Sequence, residues 1–364
     1  MPLKKPNRLI IFYLLILIFL VITPAIVAYS LGYTFNFTEG EIKETGGIFI
    51  KSKNTRLLIF INDELAKETG GFYGSTLISD VTPGAHLLRI EKEGYRPWSK
   101  RIKVEPFRVT EFRNVLLVSQ KISIATSTEE FPPPPAPSQN KDDLKLDNKN
   151  NLLKVIDSAS STVIATNVNS FSIIEKTVFF VDKNGFLAKV NTEDNQLETI
   201  GRPGFFMSKN PIRFFKAPQG EILIIDSSGG LYILEDDNTI TPLDGGITRV
   251  EFDETGGKVI LLKEKSIEIL WLKESAHQPF EKKYSRETII NLKLSLAEAR
   301  WFYKDKAHIV FRTDEGIFLT EVDGRGGRNT FELISGKTNS LITSRETPNS
   351  IFFKKGKIPY KIDL

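Results

Sequence analysis

The side chains able to do chemistry are few and scattered. Cysteine is absent, which excludes thiolate nucleophiles, thiolate metal sites and disulfides. His86, His277 and His308 are the only imidazoles, and each stands far from the others in sequence. Acidic clusters at Asp182/Asn184, Asp226, Glu235–Asp237 and Asp323 offer oxygens of the kind calcium takes. None completes the D-x-[DN]-x-[DN]-G-x5-E loop that wraps the ion, and all fall in turn-like sequence where Asp and Asn serve the backbone. The basic stretch Gly324-Arg325-Gly326-Gly327-Arg328 carries charge to grip a carboxylate or phosphate, but reads first as a wide β-turn. No G-x-S-x-G, H-E-x-x-H or G-x-x-x-x-G-K-[ST] occurs. No catalytic residue, cofactor or metal is therefore expected, and the chemistry points to binding rather than turnover.

The element that places everything else is the charge-free run Leu9–Leu31, about 23 residues long. As a helix rising about 1.5 Å per residue it crosses a hydrocarbon core of ~30 Å. Lys4, Lys5 and Arg8 precede it and no basic cluster follows at once, so residues 1–8 are expected in the cytoplasm and the bulk of the chain outside. A cleaved signal peptide is the alternative, with Ala25 and Ala28 near its end, but the run is long for that and Ile26 is bulky for such a site. A buried core helix fits so uniform a run poorly. The formal net charge is +4, and Lys4, Lys5 and Arg8 account for three of those charges. An exported part so nearly neutral argues against nucleic acid as a partner.

Residues 34–118 alternate short apolar strands with Gly, Asn, Asp and Pro breaks and show no helix pattern. Gly47–Ser52, Arg56–Asn62, Thr76–Val81 and His86–Gly94 read as strands, followed by two more, which makes a small β-sandwich. Pro83 and Gly84 form a turn, with Pro presetting φ and Gly taking the permissive position. Lys100, Arg101, Lys103, Arg108 and Arg113 alternate with apolar residues and read as the solvated face of antiparallel strands, with weak attraction to anionic wall polymer or lipid headgroups as the lesser reading. The order strand, T-P-G-x-H, strand, G-Y-x-x-W resembles the PEGA domain, a small surface β-sandwich. The positions that carry the resemblance are Pro83, Gly84, His86, Gly94, Tyr95 and Trp98. Tyr95 and Trp98 suit either an aromatic platform for sugar or protein or, as favoured here, packing over the sandwich. His86 reads as a structural imidazole.

Residues 119–143 change to Ser, Thr and Pro, with Pro132–Pro135 and Pro137 in one extended stretch, and read as a semi-rigid spacer. From residue 144 to 364 the chain repeats itself. Thr177–Gly201, Glu221–Gly245, Lys258–Lys273 and Ala307–Ser335 each hold apolar runs joined by Gly, Asp and Asn turns, and Ser350–Leu364 is a last partial unit. A period of about 40–50 residues with four strands per unit predicts a β-propeller of five to six blades, six preferred. The first unit lacks an obvious opening strand and the last an obvious closing one, so the chain ends are expected to share a blade. Trp301-Phe302-Tyr303-Lys304-Asp305 and the strand pair after it resemble the WD40-like repeats of TolB-type propellers.

The expected architecture is thus all-β: a transmembrane helix (9–31), a PEGA-like sandwich, a proline-rich linker and a C-terminal propeller. It suits a membrane-anchored surface protein that binds or scaffolds, with a cell-wall glycan or envelope protein as partner. The alternatives are an envelope assembly factor resembling TolB and an extracellular propeller glycan hydrolase or lyase. His277 and His308 would be the only propeller imidazoles for such an enzyme.

Overall fold

A computed structural model describes residues 5–36, 40–127, 144–156, 160–201 and 212–364. The proline run lies outside the described residues. The chain forms two compact units: Met1–Ile122 with Ala276–Phe280 and Asp323–Asn329, and Ser123–Ser275 with Glu281–Val322 and Thr330–Leu364.

The first unit begins with the helix Lys5–Ser30, α1. Within its stretch Asn7–Ser30 an 18-residue window reaches a mean hydropathy of 3.0, and none of that window is buried by protein. An apolar surface of this kind on all sides needs an apolar solvent, and the length suffices to cross a membrane. The helix ends in a tight join: Gly32, at φ +95°, lets its carbonyl accept from both the N–H and the hydroxyl of Thr45, at 2.8 and 2.9 Å. A Cβ on Gly32 would stand 3.0 Å from the Thr45 carbonyl.

Two sheets then face each other. One has the order Ser75–Val81, Gly46–Ser52, Val109–Val115, the second pair parallel. The other has the antiparallel order Glu64–Glu68, Leu58–Ile61, Gly84–Glu91, Trp98–Val104. Alternating residues from both, among them Ile48, Ile50, Ile59, Leu88, Ile90, Trp98 and Phe112, meet as one core. Asn62 and Asp63, both at positive φ, make the two-residue turn that joins Leu58–Ile61 to Glu64–Glu68.

One expected solvated cation turns inward. Along Trp98–Val104 every second residue is buried, and that phase holds Trp98, Lys100, Ile102 and Val104. Arg101 and Lys103 take the outer phase as read. Lys100 is 1% exposed, and its Nζ donates to the carbonyls of Asp323 and Gly327 at 2.6 and 2.9 Å, with Trp98 and Phe112 rings within 6 Å. The later segment Asp323–Asn329 of this unit therefore satisfies a buried ammonium. Gln278 does similar work as a stand-in strand: its amide accepts from Glu111 N at 3.1 Å and donates to Val109 O at 2.9 Å.

The second unit is a β-propeller of six antiparallel sheets in sequence. Five have four strands, and the first, Leu144–Leu146, Leu152–Val155 and Ser161–Ala165, has three among the described residues. Apolar clusters are shared by successive sheets: Val168, Phe180 and Val190 with Leu152, then Phe179 with Phe214 and Ile224, then Leu223 with Val259 and Leu270, then Ile269 with Trp301 and Phe311. Each sheet is apolar on both faces, so stacking is the only way to dry it.

Closure differs from the sequence reading in one respect. The last sheet runs Ser340–Thr343, Ser350–Lys355, Ile358–Asp363 and then Ile124–Thr126, so a strand from before the proline run closes it. The stretch read wholly as spacer therefore contains a blade strand. Three residues paired across most of the chain leave no local periodicity to read.

The hairpins share a device. Asp147, Asp182 and Asp226 each accept, through Oδ1, the N–H groups two and four residues on, at 2.7–2.8 Å. These Asx turns commit the carboxylates to backbone. Among the described residues no group of three or more His, Asp or Glu is placed to hold a metal ion.

Candidate functional site

The six residues that carry the sandwich motif serve its turns and core. Gly84, at φ +144°, opens the strand Gly84–Glu91 after Pro83. His86 lies between two partners: Nε2 is 2.7 Å from the Thr82 carbonyl and Nδ1 is 3.0 Å from the Asn62 amide nitrogen. A carbonyl only accepts, so Nε2 carries the proton and Nδ1 accepts from Asn62. The same Asn62 accepts from Leu87 N at 2.9 Å, so His86 ties the Pro83 turn to the Asn62 turn. Gly94, at φ +76°, turns the chain into Tyr95, which bridges to Ser119 while Lys92 sits 4.7 Å over its ring. Trp98 is 1% exposed and meets Phe112 edge-on, with ring centroids 5.4 Å apart. No open aromatic platform exists at Trp98.

Arg325, the candidate anion gripper, is spent internally. Its guanidinium donates to both Asp323 oxygens, to Gln278 Oε1 at 2.7 Å and to Glu111 O at 2.6 Å. Burial raises the Asp323 carboxyl, but the Arg325 hydrogen bonds and the Lys100 charge outweigh it and hold the group below its ordinary value. His308 is buried, with Nδ1 2.6 Å from Asp305 Oδ2. His277 belongs to the first unit and His308 to the second.

The structure assembles a different constellation, on the first strands of successive sheets: Arg249–Phe252, Glu298–Phe302 and Ser340–Thr343. Glu251 and Arg300 are 8% and 5% exposed, and Arg300 Nη1 donates to Glu251 Oε2 at 2.7 Å. Glu251 Oε1 accepts from Trp301 N at 3.2 Å, and its carbonyl accepts from the Trp301 indole at 3.0 Å. On its other side Arg300 donates to Leu341 O, with Glu298 3.7 Å away. Glu298 receives Arg312 at 3.0 Å and Leu341 N at 3.2 Å. Three sheets are thereby sewn together by charge-assisted bonds.

Arg249 stands at the edge of this network. Nothing among the described residues accepts a hydrogen bond from its guanidinium. It shares a face of its strand with Glu251, two residues on. Burial first, then the Arg300 charge, pushes its pKa down, while Glu251 and Glu298 pull it back. The first strand of the preceding sheet adds Arg213, whose Nη1 donates to Thr248 O at 3.1 Å. Three arginines, 249, 300 and 312, thus face two carboxylates, 251 and 298. The surplus is one cation with free donors, a group suited to a carboxylate, phosphate or sulfate. Sequence offered one signal of this, the alternation of charge with apolar residues in Arg249–Phe252 and Glu298–Phe302, in strands otherwise apolar.

No curated protein matches the sequence. Similar solved structures include an auxiliary nutrient binding protein from Bacteroides thetaiotaomicron, at 13% identity, with 84% of this chain and 90% of that one covered and a TM-score of 0.33. YCF48 from Cyanidioschyzon merolae is similar at 10% identity, over 77% and 92%, with a TM-score of 0.37. The β-propeller domain of Cps50 (Swd1) from Myceliophteria thermophila is similar at 11% identity, over 51% and 62%, with a TM-score of 0.35. The match to a family falls within the sandwich, takes in Pro83, Gly84, His86, Gly94, Tyr95 and Trp98, and leaves the strands before residue 69 outside. Residues 69–119 match the PEGA domain.

Proposed function

We propose that this chain is a membrane-anchored, outward-facing binding or scaffolding protein whose propeller recognises an anionic group on a protein or glycan, without catalysis. The observation that carries the reading is Arg249, an arginine with no hydrogen-bond acceptor among the described residues, standing beside a buried network that holds its neighbours fixed. Its donors are not taken up by any described residue, so a ligand carboxylate meets them without displacing a protein acceptor. The outward orientation rests on Lys4, Lys5 and Arg8 preceding α1, whose charges favour the cytoplasmic side. A binding role also accords with His86, Asp182, Asp226 and His308, which are already committed to turns and a buried pair.

The test is capture by the full chain, held in lipid nanodiscs, on purified cell-wall material and on solubilised envelope proteins. An Arg249→Ala variant is run beside it. Capture that the variant loses supports recognition at Arg249. Equal capture by both removes Arg249 from the function, no capture by either sinks the binding reading, and release of soluble sugar from the wall material makes the protein an enzyme.

A further inference from the structure

We infer that the first unit rests on the outer membrane–water interface through an aromatic foot, formed by Tyr29, Tyr33 and Phe107 at the exit of α1. The inference rests on the reading of α1 as a spanning helix and adds to it a second, peripheral contact. Depth follows from covalent and hydrogen-bonded distance. Asn7–Ser30 is 24 residues, about 36 Å of helix, against a hydrocarbon core of ~30 Å and a headgroup layer of roughly 5–7 Å on each side. Residues 30–33 therefore emerge within the headgroup layer. Thr45 is hydrogen-bonded to Gly32, Phe107 N donates to Thr45 O at 2.9 Å, and the Phe107 ring centroid is 4.8 Å from that of Tyr33. Phe107 is held at the same depth by these contacts.

Phe107 is also unusual in its backbone. It sits at φ +61°, a conformation that Gly or Asn enters at lower cost, and its side chain is 45% exposed. Its packing against Tyr33 still leaves nearly half of the residue open. At a membrane interface an aromatic ring is the favoured residue, and Tyr29, 60% exposed, and Tyr33 complete the collar. Gly46 is required by the same turn, since a Cβ there would lie 2.4 Å from Glu105 O. The partner is a neutral lipid surface rather than an anionic one. The cations around the exit, Lys43, Lys103 and Arg108, are balanced by Glu41, Glu44, Asp80 and Glu105, with Arg108 and Glu105 paired at 3.0 Å.

The test reads depth by quenching. Phe107→Trp and Tyr33→Trp variants of the full chain are placed in phosphatidylcholine nanodiscs, with and without lipids brominated near the headgroup end of the acyl chains. The natural protein gives the background from Trp98, Trp271 and Trp301. Phe19→Trp, in mid-helix, reports insertion. Phe72→Trp reports the far end of the sandwich, since Ser75 lies about 17 Å along its strand from Asp80, which accepts from Tyr29. Bromide quenching of both foot variants beyond background, comparable with Phe19→Trp and unchanged by added phosphatidylglycerol, is the expected result. Quenching of Phe19→Trp with foot variants behaving as Phe72→Trp overturns the foot and leaves the anchor standing. Quenching of the foot only in phosphatidylglycerol overturns the neutral aromatic contact, and an unquenched Phe19→Trp overturns the anchor and the foot together.

Discussion

Glu251→Ala is the perturbation that most directly tests how the propeller holds its candidate site. Truncation takes from Arg300 Nη1 its acceptor at 2.7 Å and from Trp301 N its acceptor at 3.2 Å. Glu298, at 3.7 Å from Arg300, is then the nearest remaining counter-charge, and it is already engaged by Arg312. Breaking one partner of a buried pair leaves an uncompensated charge and costs about 3–5 kcal/mol, whereas an exposed pair costs ~0–1 kcal/mol. Because Arg300 and Glu251 side chains are only 6% and 8% exposed, the larger figure applies. The assay is urea unfolding of the full chain in nanodiscs on a Trp98→Phe background, where the emission of Trp271 and Trp301 reports the second unit alone. The midpoint should fall with an unchanged slope. The paired variant Glu251→Leu/Arg300→Met should recover most of the loss, since an apolar replacement of a whole buried pair is often neutral or better. A cost below about 1 kcal/mol for Glu251→Ala would refute the claim that this network is dry.

Other outcomes follow from the same geometry. Arg249→Ala should leave the urea midpoint unchanged or raise it, because it removes a half-buried cation beside Arg300, while abolishing capture of the anionic partner. At Asp226, burial raises the pKa, but bonds from Ser228, Gly230 and Tyr232 outweigh it and hold the value below the ordinary 3.8. The lowered carboxyl stabilises the fold above pH 3.8 and that contribution is lost as pH falls through its depressed value, so Asp226→Asn should flatten the acid side of the pH–stability curve. Tyr232 is pushed up to about 12, mainly by burial and then by Asp226, so its contribution is full below pH 10 and lost as pH rises through about 12. Tyr232→Phe should delete the latest phenolate step in an absorbance titration. Ala125→Pro should weaken closure of the last blade by about 1–3 kcal/mol, because Ser127 N donates to Pro359 O and the alternation aims Ala125 N at Lys361; the urea midpoint reads it. Trp98→Ala should cost the sandwich about 3–5 kcal/mol in melts followed by circular dichroism, as a large buried ring leaves a cavity.

How far each feature was legible in the sequence depends on how local its cause is. The apolar helix announces itself because a membrane asks the same thing of every residue from Leu9 onward. Blade hairpins are legible because each turn carries its own chemistry: Asp182 and Asp226 bond N–H groups two and four residues away, and Gly185 and Gly229 take the positive φ that follows. The sandwich motif is legible for the same reason, with Gly84 and Gly94 at positive φ and Trp98 at a fixed spacing. By contrast, Lys100 looks solvated until strand phase puts it on the face of Trp98, and its acceptors lie 223 and 227 residues on. Ile124–Thr126 looks like spacer because its partner strand is the last in the chain.

The candidate site belongs to the second kind, and that bears on what it is for. Glu251 and Arg300 are 49 residues apart, close to one blade repeat, so their meeting is set by the stacking of sheets rather than by any local preference. A propeller needs only apolar faces to stack, as Ile174, Phe179, Phe214 and Ile224 show by meeting in one buried cluster. Charge placed at Arg249, Glu251, Glu298 and Arg300 costs desolvation that an apolar core avoids, and a buried pair is weak support for stability by itself. What the network gains is direction: Arg300 is held from both sides, Arg312 is drawn to Glu298, and Arg249 keeps donors that no described residue takes up. A stability device would have closed on all three arginines. On the proposed reading, one arginine open beside two that are closed is a recognition site in which the fixed pair supplies rigidity and the open guanidinium supplies the contact.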